Sequence, residues 1–233
     1  MKVKKRASPS PAIIRLVLVG TAAVVVTLIV LTRGILKSHT AKVNDPTGLM
    51  TCGSMPCPSK GDPHAPVTII EVADYACPAC RAYNQYTAPK VEEQYIKAGK
   101  VYYVVHSFNL WPQTESLAAT ALCAADQGKF WDYHALLFQN QGQFTPNELS
   151  SYALQAGMDV QAFAMCVNLG KHTGDVAASS NAARTAGVTS TPSFFINGML
   201  VVGALPFQCT PGARGCEQGG FQTYIETALK NSE

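Results

Sequence analysis

Cys77-Pro78-Ala79-Cys80 lies between an apolar run, Val67-Thr68-Ile69-Ile70-Glu71-Val72-Ala73, and a segment from Arg81 to Ile96 whose pattern is helical. A C-x-x-C at a strand-to-helix junction constrains the chain strongly. The first cysteine must sit at a helix N-terminus, where unpaired backbone N–H groups and the helix dipole favour negative charge. The Cys77 thiolate is thereby stabilised over the thiol, and the thiolate is the species that attacks disulfides. Two plainer uses of the pair fit less well. Zinc would need a second Cys/His pair at ligand spacing; Cys52-x4-Cys57 is the nearest candidate, and no H-x3–5-H follows it. A purely structural disulfide here would close too small a loop to restrict the unfolded chain much.

The chain has 233 residues, 47% of them apolar and 14% charged, which is the composition of a globular protein. Its formal charge of +3 is unevenly spread. Eight of its 18 Lys/Arg lie in residues 1–42, which hold no Asp or Glu. The remainder therefore carries ten basic against fifteen acidic residues, a net of −5, and nucleic acid is not an expected partner. Ala12 to Thr32 holds Arg15 as its only charge, long enough for a spanning helix of about 20 residues. Four basic residues precede the span, Arg15 lies near its start and three follow it, so the positive-inside rule puts residues 1–11 in the cytoplasm as a basic tail. A cleaved signal peptide is the rival, but the run is longer than an h-region and no clean A-x-A site follows. Residues 33–62, rich in Gly and Pro with little apolar periodicity, read as a stalk.

Eight cysteines behind an export signal fit an oxidising compartment. With Cys77 and Cys80 set aside, six remain, and six allow fifteen connectivities. Proximity favours Cys52 with Cys57 and Cys209 with Cys216, leaving Cys123 with Cys166.

The continuous apolar run 67–73 suits a strand covered on both faces, and Lys100–Ser107 is a second strand; the helix between them makes a right-handed parallel βαβ unit. Helical patterns then cover Glu115–Asp126, Phe130–Gln139, Pro146–Ala156, about 160–169 and about 174–186. Thr145-Pro146 reads as an N-cap with proline at the first helical position. Ser193–Asn197 and Leu200–Val202 flank the hairpin signal Asn197-Gly198, and Gly219–Lys230 is a closing helix.

This order, with a redox pair opening the first helix, resembles the thioredoxin fold with an all-helical insertion found in the DsbA-like thiol:disulfide oxidoreductases, in particular their membrane-anchored bacterial branch. Three stretches carry the resemblance. Asp62 to Glu71, leading through Asp74-Tyr75 to the cysteine pair, is similar to the family's first strand and active site. Ala124-Ala125-Asp126-Gln127-Gly128-Lys129-Phe130-Trp131 with Leu136-Leu137-Phe138 is similar to its insertion. Gly187-Val188-Thr189-Ser190-Thr191-Pro192-Ser193-Phe194-Phe195-Ile196-Asn197-Gly198 is similar to its cis-proline loop and hairpin. An α/β thioredoxin-like domain over residues 63–233 follows, with the insertion at about 113–187 and a single transmembrane helix before it.

The resemblance implies a cis bond at Pro192, preceded by Thr191, beside the redox pair. A proline there removes an N–H, so facing backbone stays available to an extended peptide near Cys77. It also implies that Glu71 lies buried beneath the disulfide; desolvation would raise its pKa and let it exchange a proton with Cys80. A solvent-facing glutamate is the alternative. Asp74, nearer the loop, is expected to be more exposed. His106 invites a Cys–His reading, while His64, His134 and His172 stand in loop or helix contexts without evident partners. Trp111, Trp131, Phe130 and Phe138 read as core, so no cofactor is expected, and no metal.

The expected activity is extracytoplasmic introduction of disulfides into cysteine-bearing exported proteins. Cys77 carries the mixed disulfide, Cys80 resolves it, and a membrane quinone-linked thiol oxidase (DsbB- or VKOR-like) recycles the pair. Pro78-Ala79 offers no side chain that could pair with the thiolate, so an intermediate potential is expected, and a reductase or isomerase of the same fold stays open. Residues 33–62 are too short for a dimerisation domain, so a monomer is expected. A soft-metal-binding domain is the third reading, disfavoured because no Met/His cluster flanks the pair.

Overall fold

The computed structural model describes residues 47–111, 114–210, 216 and 219–232. The expected membrane span at 12–32 and its basic tail lie outside them; among the described residues no helix is long and apolar enough to cross a membrane.

The described chain begins with three two-residue strands, β1 (Thr51–Cys52), β2 (Met55–Pro56) and β3 (Ser59–Lys60), followed by β4 (Val67–Ala73). Helix α1 (Pro78–Tyr86), a short α2 (Ala88–Val91) and a π-helical turn (Glu92–Ile96) lead to β5 (Val101–Ser107). Five helices follow: α3 (Glu115–Ala125), α4 (Phe130–Gln139), α5 (Pro146–Gln155), α6 (Val160–Asn168) and α7 (Thr173–Thr185). The chain then closes with β6 (Ser193–Ile196), β7 (Met199–Val202) and α8 (Phe221–Lys230).

The main sheet has the order β3-β5-β4-β6-β7. β4 and β5 run parallel in register from Val67↔Val101 to Ala73↔Ser107, and β6 runs antiparallel to β4. The period of two along β4 explains what each face buries. Val67, Ile69 and Ala73 share a front cluster with Cys77, Cys80 and Tyr83, whereas Ile70 and Val72 share a back cluster with Leu49, Cys52 and Cys57. On the front, Tyr83 of α1, Phe194 of β6 and Phe221 of α8 meet at ring separations of 4.4, 5.2 and 4.7 Å, which fixes α1 and α8 to the same strands. Aromatic contacts of this kind add about 0.5–1.5 kcal/mol each beyond area burial.

Two local expectations need correction. The helix expected as one piece to Ile96 breaks at Thr87, because Pro89 lacks the N–H that would continue the ladder. Thr87 is buried there and its hydroxyl donates to the Leu205 carbonyl at 3.0 Å. The stalk expected to run to residue 62 is part of the fold from Thr47 onward. β1 and β2 form a hairpin, β3 pairs with the β5 edge, and Leu49 is fully buried. Its strands are too short, and its Gly and Pro too frequent, for periodicity to reveal them. In α5, Thr145 and Glu148 form a reciprocal capping box, so the Thr-Pro start is a capped helix entry. Asn197 and Gly198 have φ of 46° and 85°, the left-handed pair that a two-residue hairpin turn needs.

Candidate active site

Cys77 has extended backbone (φ −77°, ψ 117°) and is the N-cap of α1, with Pro78 in the first turn. Pro78 fits because the first helical N–H has no acceptor in any case. The loop that carries Cys77 is tied down from three sides. Asp74 Oδ1 accepts from the Ala76 N–H at 2.8 Å, while its Oδ2 accepts from the Leu110 N–H and the Thr114 hydroxyl, both at 2.8 Å. Gln141, between α4 and α5, donates through Nε2 to the Tyr75 carbonyl at 2.8 Å and the Cys77 carbonyl at 2.9 Å. Asp74 is thus 2% exposed, a correction to the exposed position expected for it: its two oxygens are consumed joining the loops after β4 and β5.

Cys77 and Cys80 are both free thiols, 5% and 0% exposed. The Cys77 Sγ lies 3.3 Å from the carbonyl of Thr191, whose bond to Pro192 is cis. The Thr191 hydroxyl is buried with no other partner, so it is available to donate to a thiolate. A hydrogen bond from the Cys80 thiol, opposed by burial and helped by the Thr191 side chain and the Cys80 and Ala79 N–H groups, draws the Cys77 pKa down to about 6. Burial, reinforced by the hydrogen bond and charge of Cys77, pushes Cys80 well above the usual thiol range. One sulfur is therefore an anion near neutrality while its neighbour keeps its proton.

Beneath the pair, Glu71 is fully buried on β4. Tyr103 donates to its Oε2 at 2.7 Å and Asn84 Nδ2 to its Oε1 at 2.9 Å. The same Asn84 amide donates to the Cys80 carbonyl at 3.2 Å. Burial outweighs these donors and the attraction of Lys60, raising the Glu71 pKa to about 7. The chain continues outward. Asn84 Oδ1 can only accept, so His134 Nε2–H donates to it at 3.0 Å, and His134 Nδ1 accepts from the Tyr75 hydroxyl at 2.9 Å. Burial, then the Lys60 charge, hold the His134 pKa down to about 3, so the ring stays neutral. A groove of about 1160 Å³ is bordered by Lys60, Asn84, Tyr103 and His134 among others.

Asn84, Tyr103, Gln141 and His134 are thus site residues that reading the sequence missed, and His134, expected to lack partners, joins the network. Asn84 stands one helical turn after Cys80, and Tyr103 shares a face parity with Val101 and Val105; these are faint signals. His106 is not near Cys77: it points from the back of β5 toward Cys57. The remaining cysteines form the disulfides Cys52–Cys57, Cys123–Cys166, which ties α3 to α6, and Cys209–Cys216.

Residues 56–208 match the family described as Thioredoxin. The Na(+)/H(+) antiporter NhaA 3 of Salinispora tropica is 34% identical over 142 residues, which cover 60% of this chain and 21% of that protein. The chain therefore spans about a fifth of that relative's length. Disulfide bond formation protein D of Bacillus subtilis is 28% identical over 154 residues, 62% of this chain and 69% of that protein. Oxidised BdbD from Bacillus subtilis, a crystal structure, superposes with a TM-score of 0.63 over 75% of this chain and 93% of that one; at 22% identity the likeness is one of fold.

Proposed function

Because this chain belongs to the thioredoxin family, we propose that it is a thiol:disulfide oxidoreductase that introduces disulfides into exported proteins through Cys77 and Cys80. In the oxidised enzyme a substrate thiolate attacks the Cys77 sulfur, the Cys77–Cys80 bond breaks, and Cys80 leaves as a thiolate. Glu71, whose pKa near 7 keeps it partly protonated at neutral pH, supplies the proton that Cys80 takes up, directly or through water. A second substrate thiolate then attacks the substrate sulfur of the mixed disulfide and expels Cys77. The substrate loses two electrons and two protons to the cysteine pair, and a membrane thiol oxidase takes them on. The Thr191–Pro192 loop, beside the Cys77 sulfur, is where the substrate chain would lie.

The observation that carries this reading is the split between the two sulfurs, with Cys77 near 6 and Cys80 far above the usual range. A stable thiolate makes Cys77 a good leaving group and favours the reduced enzyme, which is the state an oxidant must move toward. General values bracket the expected potential: a nucleophile of pKa about 7 accompanies about −270 mV in thioredoxin, and about 3.5 accompanies about −120 mV in DsbA. Correcting each for the thiolate fraction at pH 7, at about 30 mV per tenfold, gives roughly −250 to −190 mV here. Equilibration with glutathione or dithiothreitol buffers measures it. A value below about −270 mV would overturn the oxidant reading in favour of a reductase of the same fold.

Residues 12–32, as a single-pass anchor with an inside tail, would hold the domain on the outer face of a bacterial membrane next to such an oxidase. The apolar length of that stretch and the charge asymmetry around it support this location. Protease protection in inverted and right-side-out vesicles tests it.

A further inference from the structure

Away from the front site, a set of metal-binding donors meets where α3 and α6 end and α7 begins. Cys123 lies in the last turn of α3, Cys166 in the last turn of α6, and His172 directly precedes α7. The two sulfurs and one ring nitrogen of His172 all lie within 4.8 Å of one another. Asp126, which follows α3, puts Oδ2 at 3.7 Å from the Cys166 Sγ and 2.9 Å from His172 Nε2. Cys123 and His172 are 1% and 4% exposed, whereas the Asp126 side chain is 28% exposed, so the cluster is enclosed at one side and reachable from the other. The C-terminal ends of α3 and α6 favour a cation here, and Lys171 already places Nζ 2.8 Å from Asp126 Oδ2.

The way His172 is held distinguishes this cluster from a disulfide with an ion pair beside it. Its Nδ1 lies 2.9 Å from Asp175 Oδ2, and Asp175 is fixed in turn, its Oδ1 accepting from the Ser54 N–H and hydroxyl at 2.8 Å. A carboxylate that orients the far nitrogen of a histidine is the usual support of a metal-bound imidazole. It leaves Nε2, beside Asp126, as the ligating atom. Two thiolates, an imidazole and a carboxylate are a four-donor set that suits tetrahedral zinc. Two sulfurs on one zinc stand about 3.8 Å apart, given Zn–S bonds of about 2.3 Å. The Cα atoms of Cys123 and Cys166 are 5.9 Å apart, so their side chains can reach that spacing by rotating once the disulfide is open.

We propose that Cys123, Cys166, His172 and Asp126 form a redox-gated zinc site, filled when a dithiol reduces Cys123–Cys166 and closed to metal while the disulfide stands. The dithiol's two thiols couple to a disulfide, and its two electrons open Cys123–Cys166 to two thiolates, which bind Zn2+. Zinc also displaces the proton that Nε2 shares with Asp126 Oδ2. Three protons are released in all, two from the dithiol and one from this hydrogen bond. The helices α3, α6 and α7 are then joined at this point in either redox state, α3 and α6 covalently when oxidised and all three through the metal when reduced. The site shares no residue with Cys77 and Cys80, so its fate does not bear on the proposed oxidoreductase function.

The test uses the full chain carrying Cys77→Ser and Cys80→Ser, so that the front pair supplies no ligand. The protein is reduced with dithiothreitol without denaturant, freed of reductant under nitrogen, titrated with zinc against a chromogenic chelator, then alkylated and mapped by peptide mass. One zinc per chain is expected in the reduced protein and none in the oxidised one, with zinc blocking alkylation of Cys123 and Cys166. Asp175→Ala, which removes the support of the imidazole and no ligand, is expected to weaken zinc binding about 10- to 100-fold. His172→Ala is expected to lose tight binding. The proposal is overturned if the reduced protein holds no more zinc than the oxidised one, or if zinc protects other cysteines instead. A folded His172→Ala protein that binds zinc as before would overturn it as well, and so would a Cys123–Cys166 pair that opens only with denaturant.

Discussion

Replacing Glu71 by Gln separates two consequences of burying a carboxyl under a reactive disulfide. In the folded protein the Glu71 pKa is about 7 against 4.5 for an unburied glutamate. Between those values the folded state holds a proton that the unfolded state has released, so stability falls as pH rises. The fall is complete above pH 7 and amounts to 2.5 pH units at 1.36 kcal/mol each, about 3 kcal/mol. The substitution removes this slope. It also replaces one of the two acceptor oxygens with an amide NH2, so that either Asn84 or Tyr103 loses its acceptor there, a cost of about 1–3 kcal/mol that does not vary with pH. Hence the stability difference, variant minus wild type, is expected to grow by about 3 kcal/mol in the variant's favour between pH 4 and pH 8. Urea unfolding of both proteins across that range measures it, and contributions from other titrating groups cancel in the difference. Activity should move the opposite way, with reduction of the Cys77–Cys80 disulfide by a model dithiol slowed about 10²-fold because Cys80 has lost its proton donor. A stability difference that is the same at pH 4 and pH 8 would refute the reasoning, since Glu71 would then be titrating as an ordinary surface carboxylate.

Alkylation of the reduced protein should label Cys77 with a pH midpoint near 6 and leave Cys80 unlabelled at neutral pH; preferential labelling of Cys80 would reverse their roles. Thr191→Val, which removes a buried hydroxyl that has only the thiolate to serve, should raise that midpoint by about one unit without changing the fold, read by the same pH profile. Loss of Cys123–Cys166, which spans a sequence separation of 43, should lower the unfolding free energy by up to about 4 kcal/mol in the double Cys→Ala variant; an unchanged denaturation midpoint would show that α3 and α6 hold together without it.

The elements around the cysteine pair were legible because their signals are local. A seven-residue apolar run, a C-x-x-C opening a helix, and Asn197-Gly198 between apolar segments each carry their meaning within a few residues. Glu71 could be placed on a face only through the resemblance, because an almost wholly apolar strand hides the period of two. What stayed hidden depends on partners far along the chain. His134 joins the site across 50 residues from Asn84, Gln141 reaches back 64 to Cys77, and Leu110 and Thr114 meet Asp74 across 36 and 40. No pattern within one segment announces such a pairing, so His134 looked isolated and Asp74 looked exposed. The residues from Thr47 to Gly61 failed for a second reason: two-residue strands are shorter than any hydrophobic period, and their order comes from the β5 edge and from α7.

The donor directions in the front network converge on the carboxyl group beneath the sulfurs. Tyr75 donates to His134, His134 to Asn84, and Asn84 to Glu71, while Tyr103 closes on the other carboxylate oxygen. These four hydrogen bonds lead to Glu71, while Asn84 also donates to the Cys80 carbonyl, so the network supports a carboxylate as it forms without carrying a charge of its own. A protonated histidine in place of neutral His134 would hold Glu71 ionised at all working pH values, and the carboxyl could no longer return a proton to Cys80. Burial of His134, which keeps its pKa near 3, keeps such a charge away from Glu71, whose own burial raises its pKa to about 7. Lys60 is kept at the margin for the same reason. It pairs with Glu92 and lies 4.2 Å over the Trp131 ring, close enough to lower the Glu71 pKa and too engaged to neutralise the carboxylate outright.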